Sequence, residues 1–127
     1  PDLYSSLNTF SVREAAIFNE KYPDVPGIYY QSYSSLMKNP LSDPFFALSS
    51  AAMYLFDGSN DGLVSKSSAA WGEYKGEIKS PSFLGYSHLG AVDIYKMKYN
   101  FKQSMGTVTD IPEFYIKLVS DLKKAGF

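Results

Sequence analysis

At 127 residues the chain is the usual size of one domain and long enough to bury roughly two thirds of its unfolded surface. Lys and Arg number 12 against 13 Asp and Glu, and the net charge of -1 offers no field to attract phosphate backbones or anionic lipid, which argues against nucleic acid as a partner. The absence of Cys excludes disulfides, thiolate catalysis and Cys-based zinc or iron–sulfur sites, and the longest apolar runs fall well short of the ~18 to 20 residues of a membrane span, so the expectation is a soluble domain with no transmembrane segment.

Ser11-Val12-Arg13-Glu14 opens the readable structure with capping-box spacing, and the pattern predicts a helix over 12–21 that Pro23 and Pro26 prevent from continuing. Ile28 to Ser34 is aromatic and β-rich, with the length of a strand. Residues 35–43 read as loop, with Asn39-Pro40 and Asp43-Pro44 as breakers. A second helix is expected over 44–55, capped by Asp43 with Pro44 in its first turn. It is apolar on every side, which suits either burial in a core or an acyl pocket or lid. The cluster Asp57-Gly58-Ser59-Asn60-Asp61-Gly62 is a turn, 73–78 alternates weakly as a short strand, and 85–90 is a loop around His88. Residues 91–98 are expected to be helical. The last helix is the clearest: Ile111, Phe114, Tyr115, Leu118, Val119 and Leu122 recur at helical spacing, Asp110 and Glu113 form a cap pair, and Lys123, Lys124 and Gly126 close the element. A helix–loop–strand arrangement of this kind is half of an α/β repeat.

Two loops carry groups suited to acid–base chemistry. His88 is the single histidine, so any reaction that needs an imidazole base has one candidate. Asp61, in Asn60-Asp61-Gly62-Leu63-Val64, is a carboxylate able to accept the Nδ1 proton of an imidazole, which sets the tautomer and leaves Nε2 free to take a proton from a hydroxyl. The plain alternative is that Asn-Asp-Gly is simply a turn and His88 an ordinary loop residue.

A longer set of residues resembles a known family. The runs Phe18-Asn19-Glu20-Lys21-Tyr22-Pro23-Asp24-Val25-Pro26-Gly27, Tyr29-Tyr30-Gln31-Ser32-Tyr33, Ser59-Asn60-Asp61-Gly62-Leu63-Val64-Ser65 and Ser87-His88-Leu89 together resemble the C-terminal half of a bacterial triacylglycerol lipase or esterase of the α/β-hydrolase fold. The terminal segment, Phe114-Tyr115 to Gly126-Phe127, is similar to the clostridial-type members. The resemblance implies an α/β architecture for residues 1–127, with helices on a partial, mainly parallel sheet. It also implies a secreted enzyme acting on carboxylic esters such as acylglycerols. The catalytic residues it points to are Asp61 as triad acid and His88 as general base.

The chain departs from that family in two ways. A nucleophilic Ser should precede the acid in a G-x-S-x-G elbow, and no such motif occurs; Gly85-Tyr86-Ser87-His88-Leu89-Gly90 has the wrong spacing, and its Ser87 reads as a hydroxyl supporting backbone geometry. Related lipases often place a calcium-binding carboxylate two residues after the triad His, where this chain has Gly90, so no metal and no cofactor is expected. Together with a start at Pro1-Asp2, these features lead to the expectation of a portion of a longer enzyme, inactive by itself. Its partner would be the N-terminal half of that enzyme or a second copy of the chain. The rival expectation is a free-standing binding module, in which the 11 Tyr and 9 Phe form a recognition surface and no catalysis occurs.

Overall fold

The computed structural model describes residues 11–80, 83–94 and 111–127. Its contacts divide the chain into two units, Pro1–Tyr30 and Gln31–Phe127.

In the first unit Ser11 is extended, and its hydroxyl accepts the Glu14 amide at 3.3 Å. That bond starts α1, Val12–Lys21, at the residue where the capping box puts it. The Tyr22 amide closes the helix on the Phe18 carbonyl, and the two rings lie 4.8 Å apart. Removing the cap in Ser11→Ala is expected to weaken α1 by about 1 kcal/mol, seen as roughly fivefold faster hydrogen exchange of its amides.

The second unit begins with β1, Gln31–Ser34, which pairs in parallel with β2, Glu73–Glu77. Gln31 lies opposite Glu73 and Ser32 opposite Tyr74; an irregularity then places Ser34 opposite Glu77. The strand is three residues shorter at its start than the aromatic run 28–34 suggested, because the ladder with β2 begins at Gln31. A hydroxyl pair, Ser34 Oγ and Tyr74 Oη at 2.7 Å, ties one face of the two strands together. On the other face Tyr33 meets Phe114 edge to face, with centroids 5.1 Å apart.

The parallel pairing requires a long crossover, which holds a 3₁₀ turn at Pro40–Ser42, α2 at Ala47–Asp57 and α3 at Lys66–Ala69. The 3₁₀ turn falls inside the stretch 35–43 that reads as plain loop. Helix α2 starts three residues after Pro44. Asp43 engages the next two free amides first: Phe45 N–H donates to its side chain at 3.1 Å and Phe46 N–H to its carbonyl at 3.0 Å. The first helical bond, from Ser50 N–H to the Phe46 carbonyl, forms only after that turn. The side that α2 turns inward is marked by Phe46 and Ser50, both buried, while Leu48 is 84% and Phe56 89% exposed.

After β2 comes α4, His88–Ala91, one turn capped by the Ser87 hydroxyl on the Gly90 amide. The loop expected over 85–90 is thus a strap that ends in a helical turn. Val92 to Ile94 form a further turn, and the remainder of the helix expected over 91–98 lies outside the described residues. The final helix, α5, spans Ile111–Lys124. Ile111, Phe114, Leu118 and Leu122 form its inward stripe, whereas Tyr115 and Val119, from the same apolar set, are exposed. Phe127 and Gly126 amides return to the Leu122 and Lys123 carbonyls, which satisfies the orphan acceptors at the helix end. Asp110 lies outside the described residues.

Mixed helices and a small parallel sheet make this an α/β protein. Its buried positions among the described residues are mostly polar: Ser34, Ser35, Ser42, Asp43, Ser50 and Asn60 belong to them, beside Met37, Phe46, Tyr86 and Ile111. No buried side-chain nitrogen or oxygen among these residues lacks a hydrogen-bond partner. No helix among them is long and apolar enough to cross a membrane.

Candidate active site

Asn60, Asp61 and Gly62 each answer a separate local demand. The Asn60 side chain donates to the Ser50 and Gly58 carbonyls at 3.1 and 2.9 Å and accepts the Gly62 amide at 2.9 Å, locking the turn from inside. Gly62 lies against Phe46, where an added Cβ would stand 2.4 Å from the Phe46 Cβ. Asp61 then folds its carboxylate back over its own turn, Oδ1 accepting the Leu63 and Val64 amides at 3.1 and 2.8 Å. Oδ2 points the other way and takes two donors, the Ser35 hydroxyl and His88 Nδ1, each at 2.9 Å. The carboxylate is thereby satisfied on both oxygens while only 5% of the residue is exposed.

His88 arrives from the opposite direction. Its own amide donates to the Asp61 carbonyl at 2.8 Å, so main chain and side chain both bind one residue. An ionised carboxylate has no proton to give, so Nδ1 carries the shared proton, and in the neutral imidazole Nε2 keeps the lone pair. The imidazole is held edge-on to the Phe46 ring, 6.4 Å between centroids, and about 40% of its side chain remains open. The arrangement pairs a buried acceptor with an accessible base, which is the geometry needed to draw a proton from a hydroxyl placed at Nε2.

The structure therefore brings Asp61 and His88, separated by 27 positions in the chain, into direct hydrogen-bond contact. It adds two residues that spacing did not reveal. Ser35, the residue that follows the C-terminal end of β1, is a second donor to the Asp61 oxygen that binds His88. Its signal was position: in parallel sheets, functional groups gather where strands end. The other is Asp43, whose Oδ2 accepts the Ser87 hydroxyl at 2.6 Å. A cavity of about 330 Å³ opens beside the pair, lined by Asp61, His88, Ser35, Tyr33, Val64 and Phe114 among others. No group of three or more His, Cys, Asp or Glu among the described residues is arranged to hold a metal ion.

An α/β chain carrying a buried carboxylate against a part-open imidazole is a frame for proton transfer. Comparison with known proteins points in a compatible direction. The chain is 26% identical, over an alignment 147 positions long, to triacylglycerol lipase 2 of Saccharomyces cerevisiae; the alignment covers 99% of this chain and 44% of the yeast protein. It thus spans less than half the length of that relative. This supports a distant relationship to a lipase and does not extend to the bacterial or clostridial subdivision. No family model matches the chain, and no solved structure matches it significantly.

Proposed function

We propose that residues 1–127 are the C-terminal, acid- and base-bearing part of a serine carboxylic ester hydrolase of the α/β-hydrolase fold, with acylglycerols as the favoured esters. The observation that carries this reading is the 2.9 Å contact between His88 Nδ1 and the buried Asp61 carboxylate, with about 40% of the imidazole side chain exposed. The distant similarity to a yeast triacylglycerol lipase supports the substrate class.

The nucleophilic Ser and the oxyanion hole lie upstream of Pro1 in this reading. The Ser hydroxyl attacks the ester carbonyl carbon as its proton passes to His88 Nε2, and Asp61 stabilises the imidazolium through Nδ1. Collapse of the tetrahedral adduct expels the alcohol, which leaves with the proton from His88. Water then adds to the acyl-enzyme by the same relay, releasing the carboxylic acid and restoring the Ser. Leu48, Leu55 and Phe56, exposed on α2, suit a surface covered by the rest of such an enzyme.

The test is hydrolysis of short-chain nitrophenyl esters by residues 1–127 alone and by the same residues joined to their upstream sequence. The isolated chain is expected to show no Ser-dependent turnover, because it has no G-x-S-x-G elbow. Turnover by the isolated chain that disappears when one of its own Ser residues is replaced would overturn the division of labour. An upstream sequence without a strand–elbow–helix pattern would instead favour the binding-module reading.

A further inference from the structure

Asp43 lies outside the pair just described, yet it is 2% exposed and its carboxylate points at the residue before His88. The Ser87 hydroxyl has one proton and lone pairs to accept with. It gives the proton to Asp43 Oδ2 at 2.6 Å and accepts the Gly90 amide at 3.1 Å. The first bond sets the direction of the second. With its proton committed to an anionic acceptor, the hydroxyl turns a lone pair toward α4 and caps the turn on which His88 is the first residue. Asp43 is itself anchored, accepting the Phe45 amide at 3.1 Å on its other oxygen.

Further bonds run in parallel. Lys38 and Tyr86 amides donate to the Leu84 and Leu36 carbonyls at 3.0 and 2.8 Å, and the Ser42 hydroxyl donates to the Leu84 carbonyl at 2.7 Å. These fasten the strap ahead of His88 but stop short of its helical turn. The Asp43–Ser87 bond acts on the cap itself, beside the bond from the His88 amide to the Asp61 carbonyl.

We infer that Asp43, acting through the Ser87 hydroxyl, is a positioning residue that holds the His88 imidazole in register with Asp61. The inference rests on the ester hydrolase reading for its purpose, but its geometry is tested without turnover. His88 is the single histidine of the chain, so long-range proton–nitrogen NMR of the imidazole reports on this residue alone. With the ring neutral, the wild-type chain is expected in the Nδ1–H tautomer, the form that free imidazole side chains disfavour.

In Ser87→Ala and in Asp43→Asn the ratio of Nδ1–H to Nε2–H should fall by about tenfold, the equivalent of one lost charge-assisted bond at the low end of its range. Ser87→Thr keeps the hydroxyl and should restore the wild-type ratio. Ser42→Ala loosens the same strap without touching the cap, so it should lower the melting temperature and leave the tautomer unchanged. If Asp43→Asn fails to fold, Ser87→Ala decides. Wild-type tautomer ratios in Ser87→Ala, or an equal shift in Ser42→Ala, would overturn the inference by showing that the strap acts only as scaffold. A wild-type chain already in the Nε2–H form would overturn it as well. A tautomer that responds as expected, in a longer protein that hydrolyses no ester, would leave the positioning role intact and remove the hydrolase reading.

Discussion

His88→Ala, made in a protein that carries residues 1–127 together with their upstream sequence, should lower kcat for ester hydrolysis by roughly 10⁴- to 10⁶-fold with little change in KM. The base contributes in the transition state, where the Ser proton is in flight, and little to binding of the resting ester. Asp61→Asn should fall in the same range. An amide at that position still accepts from the Leu63 and Val64 amides, but it presents a neutral group to Nδ1 and removes the charge that stabilises the imidazolium. Combining the two changes should cost little more than either alone, since they disable one relay. Steady-state kinetics on a soluble nitrophenyl ester measure all three variants. A loss below about tenfold in His88→Ala would end the relay interpretation.

Gly85→Ala should be the most damaging small substitution outside that pair. Gly85 has φ +76 and forms an isolated antiparallel bridge with Met37. A Cβ there would stand 2.2 Å from the Leu36 carbonyl oxygen and 2.7 Å from the Lys38 nitrogen, both main-chain atoms that cannot rotate aside. The left-handed backbone costs about 1 kcal/mol or more for a residue with a Cβ, and the overlap adds about 1 to 3 kcal/mol. The total, about 2 to 4 kcal/mol, corresponds to a melting temperature lower by roughly 10 °C for a domain of this size. Gly27→Ala separates the two contributions, since Gly27 has φ +85 and nothing within 4 Å of the added carbon. It should lose only the backbone part. Equal losses at the two positions would show that the close approach at Gly85 carries no energetic weight.

How far the sequence could be read depended on the range of the interactions that decide each element. The bounds of α1 were legible because Ser11, three residues from Glu14, and the nearby prolines settle them within one stretch of chain. The terminal helix was legible for the same reason, through its period and its Lys and Gly end. The strand was overread at its start because aromatic residues favour sheet only where a partner strand is present, and the pairing with β2 begins only at Gln31. At Pro44 a familiar helix-start pattern lost to an Asx turn that uses the same Asp43 side chain. The one-turn helix at His88 is too short to show any period, although Ser87 is a sound cap. In the site, Asp61 and His88 were legible as residue types in suggestive loops. Ser35 and Asp43 were not, since their partners lie 26 and 44 residues away and a lone Ser or Asp has many other uses.

Those separations bear on how the molecule folds. Ser35–Asp61, Asp61–His88 and Asp43–Ser87 each close a loop of 26 or more residues; the first two meet at Asp61 and the third overlaps both. Chain entropy resists each closure, and none of the three contacts has a local substitute that could hold it in a half-formed chain. The relay is therefore an emergent property of the completed topology, gained late in folding and lost early on unfolding, with its imidazole serving as a reporter of whether all three crossings have been made.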